Sequence, residues 1–412
     1  MAFFELAHVE IRQVVLGSHT RIASGVLTVD PEELASHLAT RVRALRDVRV
    51  HAVRPDESTR IVCVKDAIEP RAKLSGGALG EGSTLALDGL AVLTCGQIVG
   101  FQEGIVDMSG PGAAHSPFSS LQLVVIEADV APDLAAKEHE AALRAAGLAA
   151  AAFLGERARG CAPDRTERFE LAAPASDLPR LAYVYMVLTQ GLLHDTWFLG
   201  RNAREGLPER VDPQVLLDGG LVSGNCVSAC DKNTTWHHQN NPLIRELYAR
   251  HGRELDLAGV VLTPEPTRLA EKERAAARAV ELVKQLDVTG AVISKEGFGN
   301  PDADLMLLIR GLEREGIRTV ALVDEFAGTD GGSQSLADTT DEADAIVSTG
   351  NANARIRLPA MERTLGPLAR VRDLAGAGAQ SARSDGALEV ELQTLLGSCN
   401  QLGTSRLRAR EV

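Results

Sequence analysis

The chain has 412 residues, is 45% hydrophobic and 24% charged, and carries a net charge of -13; this excludes global disorder and leaves room for two or three cored domains. The acidic balance argues against a nucleic-acid surface, and no apolar run reaches the roughly 20 residues that a membrane-spanning helix needs. Residues 1–8 lack a basic, apolar leader, so a cytoplasmic protein is expected.

Residues 1–130 read as a strand-rich α+β domain. β-Branched runs cover 48–53, 60–64, 90–95 and 121–126. Between them a helix is expected with Asp30 as N-cap, Pro31 at its first position, and Leu34, Leu38, Val42 and Leu45 at helical spacing. The Gly/Ser-rich stretch 75–83 reads as a hairpin or surface loop.

Residues 131–225 read as an α/β region. Ala, Leu and Glu dominate 133–156, which predicts one long helix or two meeting at Gly147. A polar connection over 163–177 leads to a buried strand at 181–188, and the loop after it carries Gln190, His194 and Asp195.

Residues 226–370 alternate strands (259–263, 290–294, 318–324, 343–348) with helices (268–286, 302–315, and a short one around Ser335). This predicts an α/β fold ending in a doubly wound parallel-sheet domain. Ligands of such sheets sit beyond the carboxyl ends of the strands. The polar strings after the strands, at Thr263, Ser294-Lys295-Glu296, Asp324-Glu325 and Ser348 to Asn351, should therefore line one rim, with Cys226 within reach. Gly297-Phe298-Gly299 lacks the third glycine of a dinucleotide fingerprint, since Asp302 stands there and Pro301 opens the helix, so no nucleotide is expected. Residues 371–412 read as a linker and a docking element whose basic end, 406–410, is a solvated face.

One stretch, from Ser223 to Pro242, concentrates reactive side chains: Asn225, Cys226, Cys230, Asp231, Lys232, Asn233, His237, His238, Asn240 and Asn241. A Cys held against the preceding carbonyl can attack it and shift the acyl group from nitrogen to sulfur, and Gly224 supplies the flexibility this requires. β-Elimination then cuts the chain, leaving a dehydroalanine that hydrolyses to a pyruvoyl group, an electrophile that the twenty amino acids lack. The six cysteines (Cys63, Cys95, Cys161, Cys226, Cys230, Cys399) suggest neither a disulfide scaffold nor a zinc framework. Cys226 and Cys230 are four apart, but Asn225, Ser228, Asp231 and Asn233 argue for a loop there.

The string Ser223-Gly224-Asn225-Cys226-Val227-Ser228-Ala229-Cys230-Asp231-Lys232-Asn233, with His238 and Asn240-Asn241-Pro242, resembles the cleavage region of the glycine/sarcosine/betaine reductase component B alpha/beta-subunit precursors. The likeness extends over most of the chain, through Val64-Lys65-Asp66, Phe101-Gln102-Glu103-Gly104, Asp107-Met108-Ser109-Gly110, Gln190-Gly191-Leu192-Leu193-His194-Asp195, Glu296-Gly297-Phe298-Gly299-Asn300-Pro301-Asp302 and Gly350-Asn351-Ala352-Asn353. The resemblance implies scission at Asn225-Cys226 and a pyruvoyl group formed from Cys226. It also implies a selenocysteine- or cysteine-bearing partner subunit, a carrier protein, and reductive deamination of glycine, sarcosine or betaine. Betaine has no hydrogen on its nitrogen and cannot condense with a ketone, so for that substrate the group would need another role.

Within the stretch, His238 is a candidate acid or base, its reference pKa lying near neutrality. Asn233, Asn240 and Asn241 are candidate donors to an oxyanion or simply turn formers, and Cys230 is grouped with them. Lys295, Glu296, Asn300, Asp324, Asn351 and His194 are candidate substrate contacts, Lys295 as a carboxylate anchor or a surface lysine. No metal is expected. The competing readings are an uncleaved docking subunit, a thiol oxidoreductase using Cys226 and Cys230, and a D-proline reductase-like pyruvoyl enzyme.

Overall fold

A computed structural model describes residues 3–171, 177–190, 193–225 and 228–402. Among these, three sheets of four or more strands carry the architecture. The first has the order Arg165–Phe169, Phe4–Glu10, Gly82–Asp88, Arg71–Ser75. Its last two strands form the antiparallel hairpin expected around 75–83. Arg165–Phe169 is a strand where a polar connection was expected; it lies on the sheet edge, so its alternating charges stay solvated.

The second sheet runs Gly104–Asp107, Thr59–Ile68, Leu90–Gly96, Gln122–Val130, Leu45–Val53. Arg363–Leu365 also pairs with Thr59–Ile68. Pro31–Arg41 is a helix capped as expected, Asp30 accepting from the N–H groups of Glu32 and Glu33. The long helix Ala136–Glu156 is unbroken at Gly147. There the glycine allows close packing, since a Cβ would sit 2.4 Å from Thr94 Oγ1. All ten residues of Thr59–Ile68 are buried, Lys65 and Asp66 included.

The third sheet is ordered Glu209–Val211, Asp256–Glu265, Arg180–Leu188, Gly290–Ser294, Arg318–Glu325, Ile346–Asn351. Five strands are parallel and Glu209–Val211 is an antiparallel edge. Numbered along the chain, the parallel strands stand in the order 2-1-3-4-5. The chain thus winds one way from Arg180–Leu188 to Asp256–Glu265, then reverses, and right-handed crossovers put the helix before the reversal and the helices after it on opposite faces.

The cores agree with this winding. Tyr183, Tyr185 and Val187 pack on one face with Ile244 and Leu247 of the helix Pro242–Arg250 and with Phe4 and Leu6 of the first sheet. Ala182, Val184 and Met186 face the helices Leu269–Lys284 and Asn300–Arg314. The expected helix around Ser335 is absent among the described residues, and the last strand starts at Ile346 rather than 343. Left-handed backbone at Gly328 and Gly331 and bonds from the Asn351 and Asn353 side chains to residues 327 and 328 hold that connection as an irregular loop. No helix among the described residues is long and apolar enough to cross a membrane.

Candidate functional site

The winding reverses between Arg180–Leu188 and Gly290–Ser294, and sheets of this kind take ligands beyond the carboxyl ends of the strands at such a point. Glu296, just past the second strand, is fully buried and accepts from Leu188 N at 3.3 Å. Its other oxygen accepts from Asn233 N at 2.8 Å, and its own N–H donates to Glu265 Oε1 at 2.8 Å. The reactive stretch is thereby docked at the reversal point. Cys226 and Val227 lie outside the described residues, but both flanks are placed.

On the upstream flank, Asn225 N donates to His194 O at 2.7 Å. Gly224 lies so close to this segment that a Cβ would stand 2.7 Å from Thr196 N and 2.8 Å from His194 O. The position requires the lack of a side chain, a constraint separate from the flexibility expected of this glycine.

On the downstream flank, the first β-sheet wall comes from Thr59–Ile68. A bulge there takes Lys65 out of register between Val64 and Asp66. Lys65 pairs with Glu103, and its carbonyl accepts from Lys232 Nζ. Asp66 accepts from Thr235 N at 2.9 Å and from Thr235 Oγ1 at 2.6 Å. Lys232 Nζ also donates to Asn225 Oδ1 at 3.0 Å, tying the two flanks together.

A further wall comes from the C-terminal segment. Asn400 Nδ2 donates to Lys232 O at 3.0 Å and to Asn233 Oδ1 at 2.7 Å, while Gln401 Nε2 donates to Asp324 Oδ1 at 2.7 Å. Asn400, Gln401, Lys232, Lys65, Asp66 and Glu103 were not singled out individually from the sequence. Lys65-Asp66 did carry a signal, a charged pair closing the apolar run Ile61–Val64 within a predicted strand; Asn400 and Gln401 sit in an ordinary polar tail and carried none.

The remaining predicted residues divide. Lys295 is no surface lysine: it is fully buried, donates to Gly297 O at 2.6 Å and pairs with Asp302 at 2.8 Å and Asp324 at 3.4 Å. Asn300 binds the Lys272 ammonium through its carbonyl and Oδ1 at 2.9 and 2.8 Å, and Asn351 organises the 327–353 loop. Asn240 bonds Trp236 O and Asn241 caps the next helix through Ile244 N, so both have turn and cap roles. His238 Nδ1 lies 2.7 Å from Tyr185 OH.

Burial dominates the electrostatics. It pushes the Glu296 carboxyl up to about 7, against the bonds from Asn233 and Leu188 and the nearby Lys232. Burial raises Asp66, Glu265 and Glu140 as well. His237 and His238 are pushed down to about 3 and His194 to about 4, each chiefly by burial. The argument for His238 from its free-solution pKa therefore does not carry over; its imidazole is neutral at pH 7 and offers hydrogen bonding and a lone pair rather than a ready charge.

Cys230 Sγ and carboxylate oxygens of Asp231 and Asp324 lie within 4.8 Å of one another, a donor set of metal-binding type. The Lys295 ammonium, 3.4 Å from Asp324, supplies positive charge at that point. Burial and the neighbouring carboxylate raise Asp231, and burial raises the Cys230 thiol well above its ordinary value, which leaves it a poor nucleophile.

Several polar groups of the stretch are buried without a hydrogen-bond partner among the described residues, Nδ2 of Asn225, Nδ2 of Asn233 and Nε2 of His238 among them. Such orphans are rare in folded proteins, and the two amide groups are donors that a carbonyl or carboxylate oxygen would satisfy.

A family model described as glycine/sarcosine/betaine reductase component B subunits matches residues 2–410. The chain is similar to the glycine reductase complex component B subunits alpha and beta of Acetoanaerobium sticklandii, with 43% identity over 426 residues, 98% of this chain and 99% of that one. It is 42% identical over 424 residues to the sarcosine reductase complex component B subunit alpha of Peptoclostridium acidaminophilum, again 98% and 99% of the two chains. A more distant likeness, 25% over 334 residues, links 72% of the chain to 51% of the D-proline reductase proprotein PrdA of Acetoanaerobium sticklandii. No solved structure gives a significant match.

Proposed function

Since this chain belongs to the family of glycine/sarcosine/betaine reductase component B subunits, we propose that it is the precursor of the substrate-binding subunit of an amino-acid reductase, cut between Asn225 and Cys226. The observation that carries this reading is the docking of the Asn225–Asn233 loop at the reversal point of the parallel sheet, by Asn225 N on His194 O and Asn233 N on Glu296. A loop without chemistry has no need of the one location that this architecture reserves for ligands.

A pyruvoyl group from Cys226 would supply an electrophilic carbonyl that condenses with a substrate amine and makes it a better leaving group. The chain's own residues then have definable tasks. Asn225 and Asn233 hold amide donors toward the developing negative oxygen. Glu296, with its carboxyl near 7, can hold or release a proton at neutral pH. His238 is kept in place by Tyr185. The walls from Thr59–Ile68 and residues 399–401 exclude water. C–N bond reduction needs electrons that these residues do not supply, so a selenocysteine- or cysteine-bearing partner subunit and a carrier protein complete the reaction. The substrate is glycine, sarcosine or betaine.

Reductive trapping tests the reading. Cyanoborohydride with glycine or sarcosine should raise the mass of the fragment that begins at residue 226 by that of the amine less one oxygen, water being lost on condensation and two hydrogens gained on reduction, whereas betaine should add nothing. No adduct with either amine would overturn the proposed role of the carbonyl.

A further inference from the structure

Five cationic side chains are buried among the described residues: Arg60, Lys65, Lys232, Lys272 and Lys295. Four have a carboxylate partner, namely Asp107, Glu103, Asp304 and Asp302 respectively. Lys232 is the exception. Its bonds to described residues go to two neutral oxygens, the Lys65 carbonyl and the Asn225 carboxamide at 3.0 Å, and it is 1% exposed. A buried ammonium without a counter-ion is costly, and proteins ordinarily pair it or remove it. Its charge is nonetheless felt throughout the site, working to lower Asp66, Glu140 and Glu296 and contributing to the low values of His194 and His238.

The anion that matches Lys232 arises during scission, on the residue it already holds. We propose that Lys232 is the counter-ion for the acyl group that leaves on Asn225 and that it drives the elimination step. This rests on the proposed scission at Asn225-Cys226. After the acyl shift, Asn225 is joined to the Cys226 sulfur as a thioester. A base of the buried cluster takes the Cys226 Cα proton, the Cα=Cβ bond forms, and the Cβ–S bond breaks with its electron pair going to sulfur. Asn225 then ends in a thiocarboxylate, which water converts to a carboxylate with release of hydrogen sulfide. The 225-residue fragment therefore acquires its new negative charge in a buried place, beside the one buried cation that lacks an ionic partner among the described residues. With two of its three N–H groups engaged by described residues, the Lys232 ammonium retains one to direct at that charge. The acyl shift frees the Cys226 amine and leaves no anion on Asn225, so Lys232 is assigned to the step after it.

The test compares wild type with Lys232→Gln, Lys232→Met and Lys232→Arg, scored by intact mass with and without hydroxylamine, which cuts thioesters. Gln keeps hydrogen-bonding capacity without charge, and Arg keeps the charge. The neutral variants should be cut about 10²-fold more slowly or worse and should accumulate a hydroxylamine-sensitive bond at residue 225, while Arg restores scission. A Lys232→Gln chain that is cut at the wild-type rate, or that stays uncut with no hydroxylamine-sensitive bond, would overturn the role of Lys232 while scission in the wild type leaves the proposed function standing. An uncut wild-type chain would overturn both.

Discussion

Asn233 donates its backbone N–H to Glu296 at 2.8 Å, joining the loop that follows the proposed junction to the end of the third parallel strand. The carboxyl that accepts this bond has a value near 7, set by burial, which makes Glu296 sensitive to pH in a way that can be read from stability. Its value is raised by burial from 4.5 to about 7, so the folded state favours the neutral form. The stability it contributes is present below about 4.5 and is lost as pH rises through about 7. The melting temperature of Glu296→Gln, measured against wild type from pH 4.5 to 8, should shift in the variant's favour as pH rises, at about 1.4 kcal/mol per pH unit inside that window. A pH-independent difference would show that Glu296 is not perturbed by burial.

Scission should leave the fold assembled. The strand Arg180–Leu188 precedes the junction, yet it lies between Asp256–Glu265 and Gly290–Ser294, which follow it. Arg363–Leu365, from the far side, pairs with Thr59–Ile68. The cut fragments should co-elute on gel filtration in native buffer and separate in denaturant. Separation without denaturant would contradict the observed interleaving.

Gly224→Ala tests the close approach. The added Cβ would meet backbone at 2.7 Å, and backbone cannot yield as a flexible side chain does. The expected costs are about 1–3 kcal/mol in denaturant unfolding and slowed scission, because the Asn225 to His194 bond is displaced. Wild-type scission in this variant would show that the register of the upstream flank does not matter.

Asn400→Ala removes the bonds to Lys232 O and Asn233 Oδ1 and leaves both acceptors buried. Unfolding should lose about 1–3 kcal/mol, far more than a side chain in a solvated tail would give. A change within about 0.5 kcal/mol would place the C-terminal segment outside the working core of the site.

Much of this fold was legible because apolar periodicity reports burial directly. The parallel strands, the Asp30-capped helix and the helix 136–156 all follow from it, with boundaries shifted by a few residues. Ser335 misled because short helical patterns are weak against glycines held at positive φ, as Gly328 and Gly331 are. Lys295 misled because a charged residue after a strand reads as solvated unless its partners, Asp302 and Asp324, are known to fold over it. Asn400 lies 168 residues beyond Lys232, which it holds, and Gln401 lies 77 beyond Asp324; no local pattern encodes such distant contacts. The concentration of Asn, Cys, Lys and His around residues 223–242 was visible as chemistry, but its attachment to His194 and Glu296 became visible only in three dimensions.

The central claim, that the chain is processed at Asn225-Cys226, is tested most directly by intact mass under denaturing conditions on wild type and Cys226→Ala. The account predicts wild-type fragments of 225 residues and of the remaining 187 of the 412. The shorter one should be lighter than a cysteine-started chain and reactive toward a hydrazine, and the variant should stay whole. A single species of 43.7 kDa in both samples, when the wild type is produced together with its partner subunit, would contradict it.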